Sequence, residues 1–190
     1  MNSKKIAKII SYIFIPPLMN LVIFSLFAHQ IEPTQKTLVF ISSLVFGLVL
    51  PLVIIIILLK TGKLSNDDAT VKEERTVPYL YGIGFSLFGT SLLFFSETSN
   101  LSMLLWLSYL VNSIILIVIN KYWKISAHTM GVAIPLGASF VLNGAWPIIF
   151  GTILLLVAWA RFEIKVHSIS QLAAGAFVGF TVTFILLNFI

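Results

Sequence analysis

Long apolar runs separated by short polar connectors make up most of the chain. Seven runs have, or nearly have, the length of about 20 residues that a helix needs to cross a bilayer. They cover residues 6–28, 37–59, 78–95, 101–120, 126–142, 147–160 and 168–190. The pattern predicts an all-α fold, a polytopic transmembrane helical bundle of seven spans.

The first run contains a feature that leaves a six-span alternative open. Pro16 and Pro17 lack the backbone N–H that a helix uses, so the first helix should bend or begin late at this point. In the alternative, this run lies partly at the membrane interface. We expect it to be retained rather than cleaved as a signal peptide, because no small-x-small site follows it.

The composition is that of a membrane protein and does not indicate nucleic acid as a partner. The chain is 58% hydrophobic and only 10% charged, which is typical of an integral membrane protein and not of a soluble domain. With so few charges, the net charge of +5 does not indicate nucleic acid; we expect the bilayer, and no nucleic acid, as partner. The absence of cysteine excludes thiolate chemistry. We predict one integral membrane domain over residues 1–190, while its oligomeric state is not set by the sequence.

The basic residues lie mostly on one predicted face of the membrane. With seven spans, the N-terminus and the loops at residues 60–77, 121–125 and 161–167 share that face. It carries eleven of the twelve Lys and Arg, with Lys36 on the other face. The positive-inside rule then predicts a cytoplasmic N-terminus and cytoplasmic loops, in a plasma (inner) membrane. If the first run does not span, eight cations oppose four and the direction is unchanged.

The same loops carry the side chains that bear chemistry. The candidates are Lys72, Arg75, Lys124, Ser126, His128, Arg161 and His167. Arginine binds phosphate oxygens bidentately, and clustered cations neutralise a transferring phosphoryl group. Of two imidazoles, one attacks phosphorus and the other protonates the leaving oxygen. Because these loops share one predicted face of the membrane, their side chains can form one phosphate site there.

Local spacing adds two details to this site. Gln171 follows His167 by four residues, so in a helix its side chain can hydrogen-bond one ring nitrogen of the histidine. Ser126-Ala127-His128 opens a predicted helix, where a hydroxyl and backbone N–H groups can bind an anion.

Plainer interpretations compete with the site. Arg161, Lys165 and His167 could simply extend towards lipid headgroups, and the segment from Lys72 to Arg75 could be a solvated helical turn. The small residues Gly175 and Gly179 indicate helix packing rather than ligand contact. The tryptophans near the ends of the runs are predicted to be interfacial anchors, namely Trp106, Trp123, Trp146 and Trp159.

Three ordered motifs give the chain a family resemblance. It resembles the type 2 phosphatidic acid phosphatase superfamily, whose signature is Lys-x6-Arg-Pro, then Pro-Ser-Gly-His, then Ser-Arg-x5-His-x3-Asp. The third motif matches best, with Arg161, His167 and Gln171 in place of Asp. The second appears as Ile125-Ser126-Ala127-His128. In the first, Arg75 fits but Asp68 stands at the lysine position, and Pro78 comes three residues after the arginine.

The resemblance implies an activity and a role for each matched residue. His167 would form a phosphohistidine, His128 would protonate the leaving group, and Gln171 would orient His167. The phosphate would be held by Lys72, Arg75, Ser126, Ala127 and Arg161, with Lys72 replacing the missing lysine. No metal or cofactor is implied, and the phosphatase-like core would cover about residues 60–190.

We therefore expect an integral membrane phosphatase that hydrolyses a lipid phosphate or diphosphate, of the polyprenyl diphosphate or phosphatidic acid type. The alternative is a catalytically inactive relative that binds or moves an anionic lipid. The substitutions at Asp68, Ala127 and Gln171 favour this alternative, although Gln at the last position also resembles the polyprenyl-diphosphate phosphatases of the superfamily.

Overall fold

The structure, a computed structural model, describes residues 2–189, and these contain helices but no strand. The last residue of the seventh predicted run lies outside the described residues. The helices are α1 (Ser3–Ile13), α2 (Pro16–Gln30), α3 (Lys36–Ser42), α4 (Leu50–Lys60), α5 (Thr76–Phe95), α6 (Asn100–Tyr122), α7 (Ala127–Ala138), α8 (Trp146–Glu163) and α9 (Ile169–Phe189). The predicted all-helical class is confirmed.

Three short helical segments join or extend these helices. A π-helical segment, Ser43–Val49, connects α3 to α4, so that Lys36–Lys60 forms one continuous helical stretch of 25 residues. A turn of 3₁₀ helix, Glu73–Arg75, precedes α5, and another, Ser139–Val141, extends α7.

The first run bends where its sequence predicts. The axes of α1 and α2 differ by 50°, and Pro16 and Pro17 open α2, where a missing N–H costs no helical hydrogen bond. α1 packs on α8, and the Ser3 hydroxyl donates to Glu163 Oε1 at 2.7 Å. The first run is therefore two helices, of which α1 lies against the end of α8.

Fewer than seven of the helical stretches are long enough to cross a bilayer. Among residues 2–189, five helical stretches are long and apolar enough to cross a membrane, and the bent pair α1–α2 would be a sixth. The remaining one, α7 with its 3₁₀ turn, has 15 residues. At 1.5 Å per residue it reaches about 22 Å, short of a hydrocarbon core of about 30 Å. The helices are those of a membrane-embedded bundle, and seven spans are not confirmed.

Polar contacts join the helices at the end of the bundle opposite the candidate residues. Glu32, after α2, accepts from the Ser99 backbone N–H and the Ser102 hydroxyl, each at 3.0 Å. Gln30 Oε1 accepts from the Asn143 N–H at 3.0 Å, which ties α2 to the connector between α7 and α8. The loops at this end therefore hold α2, α6 and α8 in register.

Small residues bring α7 and α9 together, as the spacing of Gly175 and Gly179 predicts. A Cβ on Gly179 would lie 2.7 Å from the Met130 carbonyl oxygen, and one on Gly175 would lie 2.6 Å from Thr129 Oγ1. The Thr129 hydroxyl also donates to the Leu172 carbonyl at 2.9 Å. This close approach places the start of α7 beside the start of α9.

One predicted interfacial anchor is wrong. Trp106 is 1% exposed, its ring lies 4.7 Å from that of Phe24, and its Nε1–H donates to Ser42 Oγ at 3.1 Å. It packs over Gly89, where a Cβ would meet the indole ring. Trp106 lies nearly two turns inside α6, on the side that faces α2, α3 and α5, so it packs in the core.

Candidate functional site

The three connectors that carry the predicted residues meet at one end of the bundle, around a cavity of about 630 Å³. Its wall includes Asp68 and Arg75 from the first connector, His128 from the start of α7, Arg161 from the end of α8, and His167 from just before α9. The volume is in the range of small-molecule sites. Side chains up to 99 residues apart in sequence therefore share one cavity.

Arg161 lies in the last turn of α8 and is 1% exposed. Its Nη1 is 2.7 Å from Asp68 Oδ2 and donates to the Ser11 hydroxyl at 2.8 Å. The other edge of the guanidinium, Nε and Nη2, is buried and has no hydrogen-bond partner among residues 2–189. That edge has the planar two-donor geometry that binds a phosphate bidentately.

Arg75 is buried and connects two of the loops. Its Nε–H donates to the Ala69 carbonyl at 2.7 Å, and its Nη1 donates to the Ile125 carbonyl at 3.1 Å. The guanidinium therefore holds the first connector against the residue before Ser126. Its charge also acts on His167.

His167 and Gln171 form the predicted contact. His167 Nδ1 is 3.1 Å from Gln171 Oε1, which also accepts from the Ser168 N–H at 3.2 Å. Because an amide oxygen only accepts, Nδ1 carries the hydrogen, and Nε2 keeps its lone pair. Burial, followed by the positive charge of Arg75, lowers the pKa of His167 to about 3. The imidazole is therefore neutral at pH 7, in the form that a nucleophile needs.

His128 lies in the first turn of α7, which Ser126 caps. The Ser126 hydroxyl oxygen accepts from the Thr129 N–H at 3.3 Å, and the Ser126 N–H donates to the Gln171 carbonyl at 3.2 Å. Both polar groups of Ser126 are thus used within the protein, while Ala127 and His128 line the cavity. His128 Nε2 is 3.6 Å from Asp68 Oδ1.

The two lysine candidates lie in different places. The Lys72 ammonium donates to the Lys121 carbonyl at 3.1 Å, where it caps the end of α6. Neither Lys72 nor Lys124 is in the cavity wall. Lys124 lies closer to the two arginines. Burial, then the charges of Arg75 and Arg161, lower its pKa. Of the two, Lys124 is the better placed to contribute positive charge.

Asp68 is the site residue that sequence reasoning missed. Its carboxylate contacts both Arg161 and His128, yet the sequence marks it only as an acid where the resembled motif has lysine. That mismatch with the motif was the one feature of the sequence that could have indicated a role for Asp68 in the site. Its position depends on how residues 61–75 fold, which no local spacing specifies.

The cavity continues from this polar end into the helix bundle. Its deeper wall is mainly apolar and includes Phe46, Phe85 and Ile134. Tyr12, Leu52 and Tyr81 also line it and are exposed, so the cavity is open beside these three side chains.

Within residues 2–189, no three His, Asp or Glu side chains are grouped to hold a metal ion. Comparisons of the chain with protein-family models, with curated proteins and with solved structures found no match.

Proposed function

We propose that the chain is an integral membrane phosphatase that hydrolyses a lipid phosphate or diphosphate through a phosphohistidine intermediate. The observation that carries this proposal is the unpaired Nε and Nη2 edge of buried Arg161, in a cavity wall shared with two histidines. A buried guanidinium edge without a partner is unfavourable, and a phosphate group satisfies it.

The two histidines have different roles in the proposed reaction. His167 Nε2 attacks phosphorus, and the bond from phosphorus to the leaving oxygen breaks while His128 gives that oxygen a proton. Water then attacks the phosphohistidine, returning a proton to His128 and releasing inorganic phosphate. The negative charge of the bound phosphate favours the protonated form of His128 that the first step needs.

The residues around the histidines orient His167 and neutralise the charge of the phosphoryl group. Arg161 and Arg75 stabilise the charge on the transferring group, and Lys124 adds to it. Gln171 holds the tautomer of His167 but brings no negative charge. The imidazole thus stays neutral before attack, since no carboxylate beside it favours protonation.

The shape of the cavity supports a lipid substrate. An apolar tail would enter from the bilayer between the helices, at the exposed side chains of Tyr12 and Leu52, and the phosphate would reach the arginines. We further propose that the chain crosses a plasma membrane seven times, with the site on the cytoplasmic face. The excess of Lys and Arg in the connectors at that end supports this orientation.

A second candidate function is binding or movement of an anionic lipid without catalysis. Asp68 favours it, because a carboxylate already occupies one side of Arg161 and repels a phosphate.

The deciding experiment measures phosphate release by purified protein in detergent, with EDTA, from phosphatidic acid, phosphatidylglycerol phosphate and polyprenyl diphosphates. We expect release by the wild type and loss of at least about a hundredfold in His167→Ala, with lipid binding retained. His29→Ala is the matched control, since His29 is an exposed histidine in the last turn of α2, at the opposite end.

Two outcomes would overturn the catalytic proposal. Release that is equal in wild type and His167→Ala would show that this histidine is not the nucleophile. Lipid binding without release by folded wild-type protein would establish the second candidate.

A further inference from the structure

We propose that Asp68 is a specificity-determining residue that makes the site prefer a lipid with a single phosphate over a lipid diphosphate. The inference rests on the proposed function and narrows its substrate class. It follows from the position of the carboxylate, the contacts that hold it there and the charges around it.

The carboxylate lies between two groups that a phosphate would use. Oδ2 is 2.7 Å from Arg161 Nη1, and Oδ1 is 3.6 Å from His128 Nε2. A phosphate on the free Nε and Nη2 edge of Arg161 would share one guanidinium with Asp68. The two anions would therefore be neighbours, and their repulsion grows in proportion to the charge on the phosphate group.

The backbone around Asp68 is held on both sides. Asn66 accepts from the Ala69 and Thr70 N–H groups, through its carbonyl and its side-chain oxygen, each at 3.1 Å. Ala69 has a φ of +44°, which is rare for a residue with a side chain, and its carbonyl accepts from Arg75. This fixed loop, and not a freely rotating side chain, delivers the carboxylate to the cavity.

The positive charge of the site is too small to neutralise a diphosphate. The buried ones are Arg75 and Arg161, and Asp68 offsets one of them. Lys8 and Asp67 also line the cavity, but both are exposed and one offsets the other. Lys124 is the remaining cation near the arginines. A monoester is matched by these groups, whereas the additional ionised oxygen of a diphosphate has no further buried Lys or Arg among residues 2–189 to pair with.

The test uses two substrates with one tail, farnesyl phosphate and farnesyl diphosphate, and compares their kcat/KM in one detergent. We expect the wild type to favour the monophosphate, and Asp68→Asn to shift the ratio towards the diphosphate by roughly tenfold, because one like charge is removed next to the ligand. Glu73→Gln is the control, since it removes the same charge from an exposed acid of the same connector that is outside the cavity wall, and it should shift the ratio much less.

Binding of inorganic phosphate and pyrophosphate, measured by calorimetry, separates this inference from the proposed function. We expect Asp68→Asn to strengthen pyrophosphate binding more than phosphate binding. Asp68→Ser gives the same comparison if Asp68→Asn is unstable. An unchanged ratio in both assays overturns the role of Asp68 while leaving the anion site intact. Failure of the wild type to bind either anion overturns the site and this inference together.

Discussion

Gly175→Ala tests whether the close approach of α7 and α9 sets the geometry of the site. The new Cβ would lie 2.6 Å from Thr129 Oγ1 and also against the Ser126 carbonyl, whereas ordinary contact begins near 3.4 Å. The helices must separate by about 1 Å, because the nearest atom is the Ser126 carbonyl oxygen, which is backbone and cannot turn away as a side chain can. The hydrogen bond from Thr129 to Leu172 spans this contact and would lengthen.

Two effects of this substitution have opposite signs. Alanine stabilises an exposed position inside a helix by up to about 1 kcal/mol relative to glycine, while overpacking costs about 1 to 3 kcal/mol. We expect overpacking to dominate, so that the melting temperature falls. Because His128 and His167 stand at the starts of the two separated elements, a shift of this size should also lower phosphate release by roughly a hundredfold.

The assay is thermal unfolding in detergent together with phosphate release, and Gly151→Ala in α8 is the control. Apart from its chain neighbours and the adjacent backbone of α8, no atom of the described residues lies within 4 Å of a Cβ built on Gly151, so this variant should melt at or above the wild-type temperature. If Gly175→Ala melted as high as Gly151→Ala and kept its activity, the packing argument would be wrong. A lower melting temperature with full activity would show that the site does not depend on this spacing.

Two further predictions concern stability. Glu32→Gln should lower the free energy of unfolding by about 1 to 3 kcal/mol, because a buried carboxylate that accepts from the Ser99 N–H and two further donors becomes a weaker acceptor. Glu97→Gln, at an exposed position, is the control. Equal melting temperatures of the two variants would contradict this prediction. Between pH 6.5 and about 3, the unfolded chain protonates His167 while the native state does not, so stability falls with falling pH. His167→Asn should flatten that part of the pH profile, and identical profiles for the two proteins would refute the assignment.

The local part of the site follows from the sequence. His167 and Gln171 meet because four residues bring two side chains onto one helical face, and Pro16 bends the first run because proline has no N–H to give. The apolar runs specify helices wherever they occur, since a chain in hydrocarbon must satisfy its own backbone. The spacing of Gly175 and Gly179 likewise predicted close helix packing, and the structure identifies α7 as the partner.

Tertiary structure alone decided where the connectors place their side chains. Lys72 caps α6 while Asp68 enters the cavity, because the loop between α4 and α5 is shaped by contacts such as that of Arg75 with the Ile125 carbonyl, 50 residues away. Trp106 packs in the core because of the helices around it. Periodicity reports which face of a helix is apolar, but the direction of a loop side chain is set by partners distant in sequence, which only the folded chain brings together.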